Sequence, residues 1–190
     1  MQQRKETALE LLPIDEFASS LLEESKRFLE RAIDEDEPPG STAYLHASLL
    51  LAFSALEAHV NAISDDFVSR SELTPHELSI LQEKEVRLVK GNFQIQTSLK
   101  MFRLEDRIEF LHSRFSGMTI DHSAPWWSRL AEATRLRNQL THPKNDVVIN
   151  GQSVGNAIAA IIDTLDALYR AIYKASFPAA GLRLDSELNF

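Results

Sequence analysis

The longest helix-compatible apolar segment of the chain constrains its fold most strongly. Residues 42–67 contain neither proline nor glycine and are apolar nearly all round, which is the pattern of a helix at the centre of a bundle. The most apolar part, residues 47–56, is too short to span a bilayer and continues into Glu57, His59 and Asn61. We therefore expect the central helix of a globular domain and no membrane partner.

Helical periodicity extends over most of the remaining chain. Apolar residues recur at three- and four-residue steps on both sides of the central segment. The pattern predicts an all-α fold, an up-and-down bundle of four to five helices that forms a single domain over residues 1–190. The predicted helices cover residues 14–33, 42–67, 74–84, 97–115, 125–142 and 153–175, and residues 176–190 are predicted to be an irregular tail.

Breakers and caps mark the connections between these helices. Residues 34–40 join an acidic run to two prolines and a glycine, and mutually repelling carboxylates favour a solvated loop over a metal site. Thr74 and Glu77 have the spacing of a capping box, which begins the short third helix. Residues 85–97 are assigned only as a loop with a short extended piece, and residues 147–149 as a short strand or an extended loop.

Composition excludes several kinds of site. The chain has no cysteine, which rules out thiolate catalysis, zinc–thiolate sites and disulfides, and its start lacks the apolar region of a secretory signal. We expect a cytoplasmic protein. The net charge of −8 argues against broad binding of nucleic acid, yet residues 129–146 contain four basic and two acidic side chains. A focused site for one or a few phosphates is therefore compatible with the composition.

The segment 131–144 carries the strongest chemical pattern. Proline disfavours a helical conformation in the residue before it, so Pro143 ends the predicted helix and leaves His142 at its terminus. Five helical steps place Arg137 and His142 about 140° apart, but unwinding at the end lets His142 swing back toward Arg137 and Asn138. The pattern thereby gathers a permanent cation, a group that titrates near neutrality and an orienting amide.

The run Arg137, Asn138, three residues and His142 resembles the motif of the HEPN superfamily, small helical proteins that include many metal-independent ribonucleases. The resemblance extends over residues 41–173. It implies an endoribonuclease without cofactor or metal, in which His142 is the general base or acid, Arg137 holds the scissile phosphate and Asn138 orients His142 or a phosphate oxygen. Attack by the RNA 2′-hydroxyl would leave 2′,3′-cyclic phosphate ends. Arg135 and Lys144 are the accompanying candidates for RNA binding.

The same resemblance implies partners. It predicts a homodimer that brings two motifs into one cleft, and a toxin–antitoxin or defence role with an antitoxin or a nucleotidyltransferase-like partner. The alternative is a non-catalytic helical module that binds RNA, a nucleotide or a protein with the same basic helix end. A purely structural interpretation is also open, in which Arg137 pairs with Glu57 or Glu132 and His142 satisfies carbonyls at the helix end.

Polar residues on the central helix form a narrow stripe. They recur at steps of three, four and four, and comprise Ser54, Glu57, Asn61 and Asp65. Two interpretations are open: the stripe is the exposed face of a partly buried helix, or Glu57 and Asn61 support the Arg137 and His142 site, with Glu57 adjusting the proton affinity of the histidine. His46 and His59 lie off the stripe and are expected to pack or to sit at an edge.

Further features have simpler interpretations. The predicted helix 97–115 carries basic residues that either extend a phosphate path or are merely solvated, namely Lys100, Arg103, Arg107 and Arg114. Trp126 and Trp127 are expected to anchor the core or a dimer interface rather than to stack on bases. Residues 151–155 match the nucleophile-elbow pattern, but no histidine follows His142, so Ser153 is interpreted as a helix N-cap.

Overall fold

The computed structural model describes residues 13–144 and 146–190. In these residues the fold is mostly helical, with one small antiparallel sheet, so the prediction of an all-α bundle is only partly correct. The elements are α1 Ile14–Asp34, α2 Pro38–Phe67, α3 Pro75–Gln82, β1 Lys84–Val89, β2 Asn92–Leu99, α4 Leu104–Ser116, α5 Pro125–Thr141, α6 Gly151–Tyr173 and a short 3-10 helix, Pro178–Gly181.

Helix α2 lies at the centre of the fold, as its apolar sequence predicts. It packs along α1 and also contacts α3, α4, α5 and α6. Two buried serines tie α1 to α2, because the Ser25 hydroxyl donates to the Ser48 carbonyl and the Ser48 hydroxyl donates to the Ser25 carbonyl, each over 2.8 Å. The helix begins at Pro38 rather than at residue 42, since proline is well tolerated in a first turn that needs no backbone donor.

By length and composition, α2 also meets the criteria for a membrane-spanning helix, with a mean hydropathy of 1.3 over its most apolar window. In the structure 56% of that window is buried inside the protein, as in the core helix of a bundle. The feature is therefore weak evidence for membrane insertion.

A β-hairpin replaces the loop predicted for residues 85–97 and the first turns of the helix predicted for 97–115. Strands β1 and β2 pair antiparallel, with Leu88 opposite Phe93 and Val89 opposite Asn92. Lys90 and Gly91 make the turn with φ angles of 49° and 82°, the positive values that a two-residue hairpin turn requires. Helix α4 consequently begins only at Leu104.

The capping box predicted for the third helix is confirmed. The Glu77 backbone N–H donates to the Thr74 hydroxyl over 3.2 Å, and the Thr74 backbone N–H donates to the Glu77 carboxylate over 2.7 Å. Residues 147–149, predicted as a strand or an extended loop, form no strand, and buried Ile149 anchors them to the core.

The tail after α6 is more ordered than predicted. Besides forming a 3-10 turn, it makes two packing contacts with the rest of the protein. Phe177 is buried in the core, and Leu184 lies beside Gly155 of α6. Farther along, the Asp185 carbonyl accepts a hydrogen bond from the ammonium of Lys26 on α1 over 3.3 Å. The tail thus covers a buried lysine.

Candidate active site at the end of helix α5

Helix α5 ends where Pro143 predicts. Its last helical residue is Thr141, and His142 is the C-cap, with φ −132° and ψ 60°. The backbone N–H of His142 still donates to the Asn138 carbonyl over 2.9 Å, so the helix closes one residue before the proline. The imidazole is exposed and makes no hydrogen bond to another described residue.

Arg137 lies in a cavity between α2, α4 and α5. This cavity has a volume of about 310 Å³, and we call it the Arg137 cavity. Helix α2 contributes Glu57 and Asn61, and α5 contributes Thr134, Arg137 and Asn138. The rest of its wall comprises Glu83, Met101, Phe102, Arg103, Leu104, Glu105 and Arg107.

The guanidinium of Arg137 has no carboxylate partner among the described residues. No Asp or Glu oxygen in those ranges lies within 4.0 Å of it, so the pairing with Glu57 or Glu132 that the purely structural interpretation predicts is not formed. Instead, its Cζ lies 4.9 Å from the ring centroid of Phe53, a cation–π contact. Its Nε is buried without a hydrogen-bond partner, and so is the hydroxyl of Thr134 in the same cavity. The two terminal guanidinium nitrogens also make no hydrogen bond to a described residue and are not buried in this way, so their N–H groups are the donors available to a ligand.

A second arginine, Arg107, is buried in the cavity wall. Arg107 is 4% exposed; it donates to Glu83 over 3.0 Å and to the Ser64 hydroxyl over 3.3 Å. Burial lowers the pKa of Arg107, while the negative charges of Glu83 and Glu57 counteract the shift. Of the two interpretations offered for the basic residues of this helix, the solvated one is wrong for Arg107, because a salt bridge to Glu83 holds it inside the protein.

His142 lines a different cavity, which we call the His142 cavity. It has a volume of about 530 Å³ and lies between the end of α5 and residues 146–148. The predicted RNA-binding residues Arg135 and Lys144 both contribute to its wall. Neither forms an ion pair within the described ranges, so two free cations flank the imidazole.

The two cavities meet at Asn138, which lines both of them. The separation of Arg137 from His142 follows from helix geometry, since five residues correspond to a rotation of about 140°. The non-helical backbone at His142 does not bring its side chain into the Arg137 cavity. The expectation that His142 swings back onto Arg137 is therefore not met within one chain.

The polar stripe on α2 is both exposed and part of the site. Ser54, Glu57 and Asp65 are exposed and Asn61 is half-buried, so the stripe is the solvent face of α2. Glu57 and Asn61 nevertheless line the Arg137 cavity, as the second interpretation predicts. Glu57 does not line the His142 cavity, which gives no support to its expected influence on the histidine.

The other sequence candidates have structural roles. Trp126 and Trp127 are half-buried against the core, and the imidazole of His122 stacks on Trp127 at a centroid distance of 5.3 Å. Arg114 is not free, because its Nε donates to Glu77 over 2.6 Å. His59 is buried, as expected of a packed residue.

Ser153 is not the N-cap of α6, since Asn150 has that position. Ser153 is the third helical residue of a capping box: its N–H donates to the Asn150 side chain over 2.9 Å, and its hydroxyl accepts from the Asn150 N–H over 3.2 Å. This role fully accounts for the serine that matches the nucleophile-elbow pattern.

Comparison of the chain with family models, with curated proteins and with solved structures finds no match. The function is therefore inferred from the residues and the geometry of the site.

Proposed function

We propose that this chain is a HEPN-like, metal-independent endoribonuclease whose site is the end of helix α5. One observation carries the proposal. Within six residues at the end of α5, Arg137 has a guanidinium without a carboxylate partner among the described residues, Asn138 lines two adjoining cavities, and His142 has an exposed imidazole. A cation, an orienting amide and a group that transfers protons all take part in phosphodiester cleavage by an internal nucleophile.

The chemistry is a transesterification. The general base removes the proton of the 2′-hydroxyl, the resulting oxygen attacks phosphorus, and the bond from phosphorus to the 5′-oxygen breaks as that oxygen takes up a proton. The products are a 2′,3′-cyclic phosphate and a 5′-hydroxyl. Arg137 would offset the charge that develops on the phosphoryl oxygens, and Asn138 would orient a phosphate oxygen or the imidazole. His142 would transfer a proton.

The reaction needs two proton transfers, whereas the α5 end of one chain supplies one imidazole. A homodimer that faces two α5 ends toward each other would supply the second His142, and would place the Arg137 of one chain near the His142 of the other. We therefore include the dimer implied by the HEPN resemblance in the proposal.

The test uses purified protein, single-stranded RNA and a chelator. We expect cleavage with cyclic phosphate ends, detected by mass spectrometry, and a rate roughly 10² to 10⁴-fold lower in His142→Ala. Arg137→Ala should also lose activity. His122→Ala, which removes another exposed imidazole, should cleave like the parent. Cleavage that persists in both site variants, or that requires an added divalent metal, would overturn the proposal.

A second candidate is a non-catalytic RNA-, nucleotide- or protein-binding module. The observation that favours it is that Arg137 and His142 line separate cavities in one chain. Retention of RNA by the parent protein without any cleavage, at protein concentrations where it is dimeric, would select this function over the nuclease.

The cellular role follows from the resemblance alone. We propose a cytoplasmic toxin or defence nuclease that an antitoxin, such as a nucleotidyltransferase-like protein, restrains. Expression of the parent should arrest growth, and His142→Ala should not. Equal growth of the two strains at equal protein level would contradict a toxin role and leave the cleavage assay to decide the chemistry.

A further inference from the structure

The β-hairpin and the connection that follows it carry a concentrated positive charge. We call residues 84–103 the basic arm. They contain five basic side chains and one acidic side chain, a net charge of +4 in a chain whose total is −8. The arm is thus the opposite of its surroundings in charge, and such a local patch attracts polyanions.

Most cations of the arm have no ion-pair partner. No carboxylate oxygen of the described residues lies within 4.0 Å of Lys84, Lys90, Lys100 or Arg103. The one acidic residue of the arm, Glu85, is occupied, because it accepts from Arg87 and from the Ser98 hydroxyl, each over 2.8 Å. Many cations elsewhere are paired, among them Arg27, Arg114, Arg129 and Arg170.

The arm also exposes an aromatic ring. Phe93 is 53% exposed next to the tip, and its ring meets that of His76 edge-on at a centroid distance of 4.7 Å. Leu88, its cross-strand neighbour, is 65% exposed. An exposed aromatic ring between cations is a stacking platform for a nucleic-acid base, and stacking requires a base that is not paired in a duplex.

The base of the arm is continuous with the Arg137 cavity. Met101, Phe102 and Arg103 belong to the arm and line that cavity together with Arg137. Lys100 precedes them, and its backbone N–H donates to the Glu83 carbonyl over 2.8 Å, which fixes the end of the hairpin against the cavity wall. A strand that follows the arm toward its base therefore reaches Arg137.

We infer that the basic arm binds single-stranded RNA and leads the strand into the Arg137 cavity. Lys90 and Lys100 neutralise phosphates at the tip and the base of the hairpin, and Phe93 stacks on a base between them. The inference rests on the proposed function for the identity of the ligand as RNA. Two copies docked arm to arm through Leu88 and Phe93 would set two patches of +4 against each other, so the charge of the arm favours RNA over that contact.

The experiment measures binding to a single-stranded oligonucleotide with 2′-O-methyl riboses, which has no attacking hydroxyl and stays intact. The arm variant combines Lys90→Asn, which suits the positive φ of 49°, with Lys100→Gln. A matched control combines Lys174→Asn, at a φ of 60°, with Arg31→Gln; neither control cation has an ion-pair partner among the described residues. Circular dichroism checks that all variants fold.

We expect the arm variant to bind about tenfold more weakly and to lower the salt slope of log K by about 1.4, because two phosphate contacts are lost. Phe93→Ala should weaken binding by at least about fivefold with an unchanged slope. The control should bind like the parent. Equal losses in the control and arm variants, or parental binding by the arm variant, would overturn the inference.

Cleavage of ordinary RNA separates this inference from the proposed function. If the arm variant binds RNA more weakly and the parent never cleaves RNA, the RNA-binding role of the arm is supported and the proposed nuclease function is refuted. If the parent cleaves RNA and the arm variant binds and cleaves equally well, only the RNA-binding role of the arm is refuted. Light scattering measures the oligomeric state of Phe93→Ala. If this variant changes the oligomeric state but binds RNA like the parent, the arm is a contact between copies of the chain and the inference is overturned.

Discussion

The guanidinium Cζ of Arg137 lies 4.9 Å from the ring centroid of Phe53. Phe53 is 2% exposed on the central helix α2, so a core residue forms the platform on which a cavity arginine rests. A cation held by an aromatic face keeps its N–H donors free, whereas a carboxylate partner would occupy them. The contact therefore positions Arg137 and leaves it able to bind an anion.

The Arg137–Phe53 contact should be measurable as a coupling energy. In a double-mutant cycle with Arg137→Gln and Phe53→Leu, we expect about 0.5 to 1 kcal/mol of coupling in the free energy of unfolding, because the contact is partly shielded from water. Urea unfolding of the four proteins supplies the values. The same cycle with Arg135→Gln, whose side chain is not over Phe53, should show no coupling. Equal coupling in the two cycles would contradict the contact.

His59 should make stability depend on pH. Its side chain is 1% exposed, both ring nitrogens lack hydrogen-bond partners, and burial lowers its pKa from 6.5 to about 4. The unfolded chain therefore takes up a proton near pH 6.5, while the folded protein resists it until about pH 4. Above pH 6.5, His59 does not reduce the free energy of unfolding. As the pH falls from 6.5 to about 4, this free energy should decrease by about 3 kcal/mol in all.

Comparison of variants isolates this contribution from that of the carboxylates. His59→Leu should flatten the decline between pH 6.5 and pH 4, measured by urea unfolding at several pH values. His122→Asn, at an exposed position, should retain the parental decline. A parental slope in His59→Leu would show that the decline comes from other groups.

The buried pair of Lys26 and Glu23 should be sensitive to the loss of either charge. The Lys26 ammonium lies 2.5 Å from the Glu23 carboxylate, with side chains 0% and 16% exposed. Glu23→Gln leaves a buried ammonium without its counter-charge, and we expect a loss of about 2 kcal/mol in thermal or urea unfolding. Glu72→Gln, in an exposed pair with Arg70 at 3.7 Å, should change stability by less than about 0.5 kcal/mol. Similar effects in both pairs would contradict the assigned burial.

The Asn150 cap should contribute to the stability of α6. Its side chain accepts the Ser153 N–H over 2.9 Å, so Asn150→Ala leaves that donor unsatisfied and should cost about 1 kcal/mol in urea unfolding. The matched control is Asn156→Ala, an exposed position within the same helix, with a change of no more than about 0.5 kcal/mol. If the two variants cost the same, the cap contributes no stability.

Apolar periodicity was sufficient to locate most helices. The spacing of apolar residues in α2 and α6, and the breakers around α5, involve only neighbouring residues. Local backbone geometry therefore determines which conformation each pattern indicates. For the same reason Pro143 located His142 at the end of α5. The hairpin was missed because Lys90 followed by Gly91 is not the favoured Asn-Gly order, and because both strands carry many polar residues, which weakens the apolar signal of a strand.

The set of residues that meet in the site depends on contacts between positions that are far apart in the sequence. Arg107 and Glu83 are 24 positions apart in the chain, and no local pattern indicates that they pair. Arg137 meets Phe53 only because α5 packs against α2. The sequence by itself determined most of the helices, the capping box of Thr74 and Glu77, and the position of His142 at the end of α5, because these follow from steric and hydrogen-bonding preferences of adjacent residues. Helix geometry separates Arg137 from His142, but only the tertiary structure decided that Arg137 lies in a cavity with α2 and α4 and that His142 lies in another cavity with residues 146–148, because the packing of α5 sets what each side of the helix faces.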